Sequence, residues 1–99
     1  MTTPLPPLTS HDGRYLDLPN FEKAEALLAR GATRMPMPRR LPQEPGYRYV
    51  VVITNPRFDG ALILTPHELR RCWASIDAGD DRPFSFFQVP AEAFGRIAS

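Results

Sequence analysis

Among its 99 residues the chain has one cysteine, Cys72, and one lysine, Lys23. A single thiol excludes an intramolecular disulfide framework and any cysteine-rich zinc site, and it makes a reducing compartment the expectation. No stretch approaches the ~20 apolar residues of a membrane span. The opening MTTPLPPLTSHDG lacks the basic start and apolar run of a signal peptide, so a cytoplasmic location is expected. The six glycines stand singly, with no run to cradle a phosphate, which leaves nucleotide cofactors unsupported.

Histidine is nearly as scarce, with two residues. His11 lies in a proline-rich stretch and His67 in the first turn of a predicted helix. No HxH, HExxH or paired-cysteine spacing occurs, so neither a metal nor a cofactor is expected. Asp77, Asp80 and Asp81 gather in one predicted loop without the pattern of a dedicated calcium site, and read as solvated. Nucleophilic catalysis needs a nucleophile, a base and an orienting group held together. The one Cys/His pair on predicted structure, His67 and Cys72, is five residues apart and falls on different sides of a helix. Cys72 sits between Leu69 and Trp73 in an apolar stripe, where a small core residue is expected rather than a thiolate. RFDGALIL resembles the strand on which a restriction-type nuclease presents its metal-binding aspartate, here Asp59. The Glu-x-Lys that such chemistry needs on the next strand is missing, and Asp59-Gly60 reads instead as hairpin-turn residues. No catalytic residue is assigned.

Proline and arginine are what the chain has in plenty. Twelve prolines stand against the usual share of about 5%, and eight of them fall within the first 45 residues. Residues 1–12, with PLPPL at their centre, read as a mobile arm or a strip of polyproline II, leaving 13–99 as a single α+β domain. LPNFEKAEALLARG predicts a helix over 20–30, capped by Asn20, stopped by Gly31, with Phe21, Ala24, Leu27 and Leu28 facing inward. ATRM predicts a short edge strand ended by Pro36.

GYRYVVVITN is the strongest strand signal: Tyr47, Tyr49, Val51 and Ile53 share one face, and Arg48, Val50, Val52 and Thr54 the other. Both faces are apolar at mid-strand, so a central strand covered on two sides is expected. After the turn NPRFDG, ALIL reads as the returning strand. TPHELRRCWASIDAG predicts a helix over 66–77, with a Thr65/Glu68 capping box and Pro66 in its first turn. Leu69, Cys72, Trp73 and Ile76 form its inner stripe, and Arg70 and Arg71 face elsewhere. PFSFFQV predicts a further strand, and Pro90 opens a short C-terminal helix through Phe94 and Ile97. The expected fold is thus a small antiparallel sheet of three to four strands, packed with two main helices and a short C-terminal helix.

Net charge is only +1, yet residues 30–57 carry six arginines against one acid, Glu44. Within that basic third lies RRLPQEP. Its Arg39-x-x-Pro42-x-x-Pro45 spacing, with Leu41 before the first proline, resembles an SH3-domain ligand, in which two prolines enter aromatic grooves and an arginine meets an acidic rim. Such short matches arise by chance, and a stiff spacer crossing the fold is the favoured reading of the same residues. The expected function is a small non-enzymatic module that binds another macromolecule, foremost a protein, as an accessory factor or inhibitor. Nucleic-acid binding through 30–57 is the alternative, with Arg30 and the other arginines on phosphate and Tyr47 and Tyr49 stacking on bases, although the phase of those tyrosines marks them first as core. The candidate partner-binding residues are Arg34, Arg39, Arg40, Leu41, Pro42, Pro45, Arg48 and Arg57.

Overall fold

The computed structural model describes residues 6–10, 12–18, 23–54, 59–79 and 83–97. Its order is β1 (Leu8–Ser10), α1 (Lys23–Leu28), β2 (Thr33–Met35), β3 (Tyr47–Thr54), β4 (Asp59–Ile63), α2 (Pro66–Asp77), β5 (Phe84–Pro90), a 3-10 turn (Ala91–Ala93) and β6 (Phe94–Ile97). Strands β2, β5, β3 and β4 form, in that order, one antiparallel sheet, while β1 and β6 pair in parallel as a separate ribbon. Among the described residues no helix is long and apolar enough to cross a membrane.

Strand β3 is central because its sequence is apolar on both faces. Side chains alternate across a strand, so Val50 and Val52 join Ala61, Ile63, Phe87 and Val89 on the side covered by Leu27 of α1 and Leu8 of β1. Tyr49, Val51 and Ile53 join Leu62, Leu64 and Phe86 on the other side, under Leu69 and Cys72 of α2. The two helices therefore cover opposite faces of one sheet, and each strand residue is committed to one helix or the other. Tyr47 departs from this pattern: at the very start of β3 it lies beyond the helix cover and is 42% exposed.

Helix α2 keeps its expected bounds. The Thr65 side chain accepts the Glu68 N–H at 3.2 Å and Pro66 opens the first turn. The reciprocal half of the expected capping box is diverted, since the Glu68 carboxylate lies against Arg14 at 3.4 Å. Helix α1 ends at Leu28, two residues short of the 20–30 expected; Asn20, Phe21 and Glu22 fall outside the described residues. Leu28 is 48% exposed rather than inward, while Ala24 and Leu27 pack on the core. Gly31 and Gly79, at φ +88° and +97°, supply the left-handed stops after α1 and α2.

Three further expectations are corrected. The residues read as a short C-terminal helix form the 3-10 turn and then β6, since Phe94 and Ile97 find an extended partner in Leu8 and Ser10. By the same pairing, Leu8–Ser10 are not part of a mobile arm: Leu8 is 1% exposed and closes the α1-side core. Asp59 and Gly60 begin β4, opposite Thr54 and Ile53, and so belong to the strand rather than to the turn; residues 55–58 lie outside the described residues.

Between β1 and the sheet the chain reverses at Asp12. Its Oδ1 accepts the Arg14 and Tyr15 N–H groups, both at 2.9 Å, and the Ser10 hydroxyl at 3.2 Å. These donors, the Tyr15 N–H first, favour the ionised carboxylate and hold the Asp12 pKa below the ordinary aspartate range. The turn delivers residues 14–16 to the outer edge of β4, where Leu16 N–H bonds Ala61 O and Ile63 N–H bonds Arg14 O, each at 2.8 Å. One sheet edge is thereby covered.

Candidate functional site

Residues 36–45 form a strap that crosses from the edge strand β2 to the central β3. Prolines at 36, 38, 42 and 45 remove backbone donors and restrict its backbone, and it bends at Arg39 and Arg40. Met37 and Leu41 turn inward onto the α2-side core, while Arg39 and Arg40 are exposed. Helix α2 clasps the strap. The Trp73 indole N–H donates to the Pro38 carbonyl at 2.7 Å, and the Arg39 guanidinium lies 3.8 Å from the Trp73 ring centroid. Arg39 also forms a two-pronged pair with Asp77, at 3.0 and 3.3 Å.

This answers where the seven-residue motif goes. An indole that donates to a proline-strap carbonyl, an arginine stacked on that indole and an acid on the guanidinium are the contacts by which aromatic grooves hold arginine-bearing polyproline segments. Here all three are made within the chain. Arg39 is engaged, Leu41 is half-buried on the core, Pro42 is half-buried, and Pro45 is exposed where the strap turns into β3. Trp73 and Asp77 were not among the sequence candidates, because only the fold sets the last two turns of α2 beside residue 39.

The remaining candidates do not lie with the strap. Arg34 pairs with Phe87, and Phe87 with Val50, so Arg34 projects on the α1 side. Arg48 has the parity of Val50 and stacks 5.1 Å from the Phe94 centroid, again on that side. Arg30 caps α1 by donating to Ala26 O at 2.7 Å and ties down Pro6 through its carbonyl at 3.0 Å. Arg57 lies outside the described residues. The basic third is thus divided between the two faces of the sheet. Tyr49 is 4% exposed and stacked on Phe86 at 5.5 Å, so its ring is not free to take a base.

Two grooves flank α2. The first, about 380 Å³, lies between the strap and the first half of the helix, and is lined by Arg39, Arg40, Leu41, Gln43, Pro66, Leu69 and Arg70. Arg39 is matched by Asp77, whereas Arg40 and Arg70 have no acidic partner among the described residues. The second groove, about 240 Å³, includes Arg14, Tyr15, Glu68, Arg71 and Cys72. There Glu68 sits between Arg14 at 3.4 Å and Arg71 at 4.0 Å, so both guanidinia share one carboxylate. Arg70 escaped the sequence reading as a site residue; its position off the apolar stripe was the available signal, but its companion Arg40 is brought alongside only by the strap.

For chemistry the described residues offer little. Cys72 is 6% exposed in the core, His67 is exposed on α2, and no cluster of three or more His, Cys, Asp or Glu is placed to hold a metal ion among the described residues. No family model, curated protein or solved structure matches the chain.

Proposed function

We propose that this chain is a non-enzymatic protein-binding module, acting in the cytoplasm as an accessory or inhibitor protein, and that its contact surface is the strap 36–45 together with the adjoining face of α2. The observation that carries the reading is the pair Arg40 and Arg70, which converge on one groove beside Leu41 and Pro66 with no acid to match them among the described residues. Unmatched guanidinia beside apolar side chains are the composition of an interface, where arginine is favoured and the partner supplies the missing charge. The clasp on Arg39 keeps the strap in one conformation, which lowers the ordering entropy a partner must overcome.

Nucleic-acid binding is the second reading, favoured by the six-to-one excess of arginine over acid between 30 and 57. Against it stand the division of those arginines between two faces and the burial of Tyr49. Affinity capture with the tagged chain from its own host, with and without nuclease, separates the two. The protein-binding reading requires a specific partner that survives nuclease, is lost when Arg40 and Arg70 are both replaced by alanine, and rebinds as purified protein. Partners that all disappear with nuclease, or that ignore the double replacement, overturn it.

A further inference from the structure

Resting on the protein-binding reading, we propose that the groove between the strap and α2 takes an extended acidic segment of the partner, in which carboxylates alternate with apolar side chains.

The charge argument comes first. Of the three arginines lining the groove, Arg39 already has Asp77 on its guanidinium and the Trp73 ring beneath it. Arg40 and Arg70 remain, both exposed, one on the strap and one on the helix. Each presents a planar fork of donors whose natural complement is a carboxylate held two-pronged. The first turn of α2 forms part of the same wall through Pro66 and Leu69, so the positive end of the helix dipole adds to the same field.

The apolar lining narrows the choice further. Leu41 on the strap and Pro66 on the helix line the same groove, and an apolar side chain of the ligand would cover both. At about 380 Å³ and open to solvent, the groove admits a stretch of extended chain rather than enclosing a small molecule.

Phosphate-rich ligands fit less well. Two unmatched guanidinia neutralise two phosphates, which for a single strand corresponds to a salt slope of only about 1.4. Binding single strands further depends on open aromatic faces. None of the residues lining this groove is aromatic, and the face of the nearby Trp73 is covered by Arg39 at 3.8 Å.

The test uses the full chain and a short, end-capped, fluorescent peptide of alternating aspartate and leucine, titrated by anisotropy at low and physiological salt. Its controls are the same peptide with asparagine for aspartate or glycine for leucine, and unlabelled oligothymidine as competitor. The asparagine and glycine peptides are expected to bind less tightly, and Arg40→Ala or Arg70→Ala to weaken the parent peptide about tenfold or more. Arg34→Ala, on the opposite face of the sheet, should leave binding unchanged. Unaltered circular dichroism shows that each exposed-site variant is folded. Peptide binding indifferent to Arg40 and Arg70, equal binding of the asparagine peptide, or displacement by oligothymidine at matched charge overturns the proposal. If no peptide binds while the captured partner is still lost on double replacement, the acidic-segment inference falls and the protein-binding reading stands. Failure of both experiments removes both.

Discussion

Removing the Trp73 side chain tests whether α2 holds the strap as the geometry indicates. A buried aromatic ring withdraws about 150–250 Å² from water, and Trp73 is half-buried against the α2-side core. Half that area at ~25 cal/mol per Å² amounts to about 2–3 kcal/mol. The N–H bond to Pro38 adds about 1 kcal/mol, and the exposed stack with Arg39 about 0.5–1 kcal/mol. Trp73→Ala should therefore destabilise the domain by ~4 kcal/mol in urea unfolding followed by circular dichroism. That is a large part of the ~5–15 kcal/mol available to a domain of this size. Trp73→Phe retains most of the area and the stack, and is expected to lose only about 1–2 kcal/mol. Arg39→Ala gives up the stack and an exposed ion pair, roughly 1 kcal/mol in all. In the double variant the two losses should overlap, with a coupling of about 0.5–1 kcal/mol. Strict additivity of Arg39→Ala and Trp73→Ala, with Arg39→Ala itself neutral, would refute the clasp, as would a native emission maximum equal to that of free tryptophan.

Gly95 lies against Pro7, and a Cβ built there would stand 2.7 Å from Pro7 Cβ; Gly95→Ala should push β1 from β6 and cost about 1–3 kcal/mol in chemical unfolding. Pro7→Gly in the same background, which removes the Cβ and Cγ the new methyl would meet, should restore part of that loss. Because Asp12 has a folded pKa below its unfolded value of about 4, its contribution is complete above that unfolded value and lost as pH falls through the folded one. Urea midpoints of the native chain and of Asp12→Ala should accordingly differ at pH 6 and converge on acidification, and a constant difference down to pH 2 would contradict the assignment. Cys72→Ala should behave as a packing change of about 1 kcal/mol with partner capture intact; loss of capture from a fully folded variant would reopen a chemical role for the thiol.

The elements legible in the sequence were those whose signals are local. The unbroken β-branched run of β3 announced a strand covered on both sides, and Thr65, Pro66 and the stripe through Leu69 and Cys72 fixed α2 almost to the residue. Strand β6 was missed because FGRI is too short to carry a period, contains a glycine, and is extended only by virtue of β1 at the other end of the described chain. Strand β1 was missed for the reciprocal reason, its prolines reading as an unanchored arm. The basic third was legible as composition but misleading as a surface. Strand parity alone sends Arg34 and Arg48 to the α1 side, whereas the strap carries Arg39 and Arg40 to the α2 side. What placed Arg40 beside Arg70, and Arg39 on Trp73 and Asp77, was a tertiary crossing with no periodicity to betray it.

The parallel pairing of β1 with β6 has a consequence for the order in which the molecule is made. During synthesis Leu8 emerges among the first residues, and its pairing partner Phe94 emerges among the last of those described. Until then the α1-side core lacks its closing strand, and Leu8, 1% exposed when folded, remains in water. The hairpin of β3 and β4 can form early from neighbouring segments; the ribbon joining residues 8–10 to 94–97 is the strand pairing of greatest sequence separation and is expected to close last. A released chain truncated before Phe94 should thus expose a protease-sensitive segment around Leu8 beside the four-stranded sheet, and the interval before that ribbon forms is when a chaperone would have access to this protein's core.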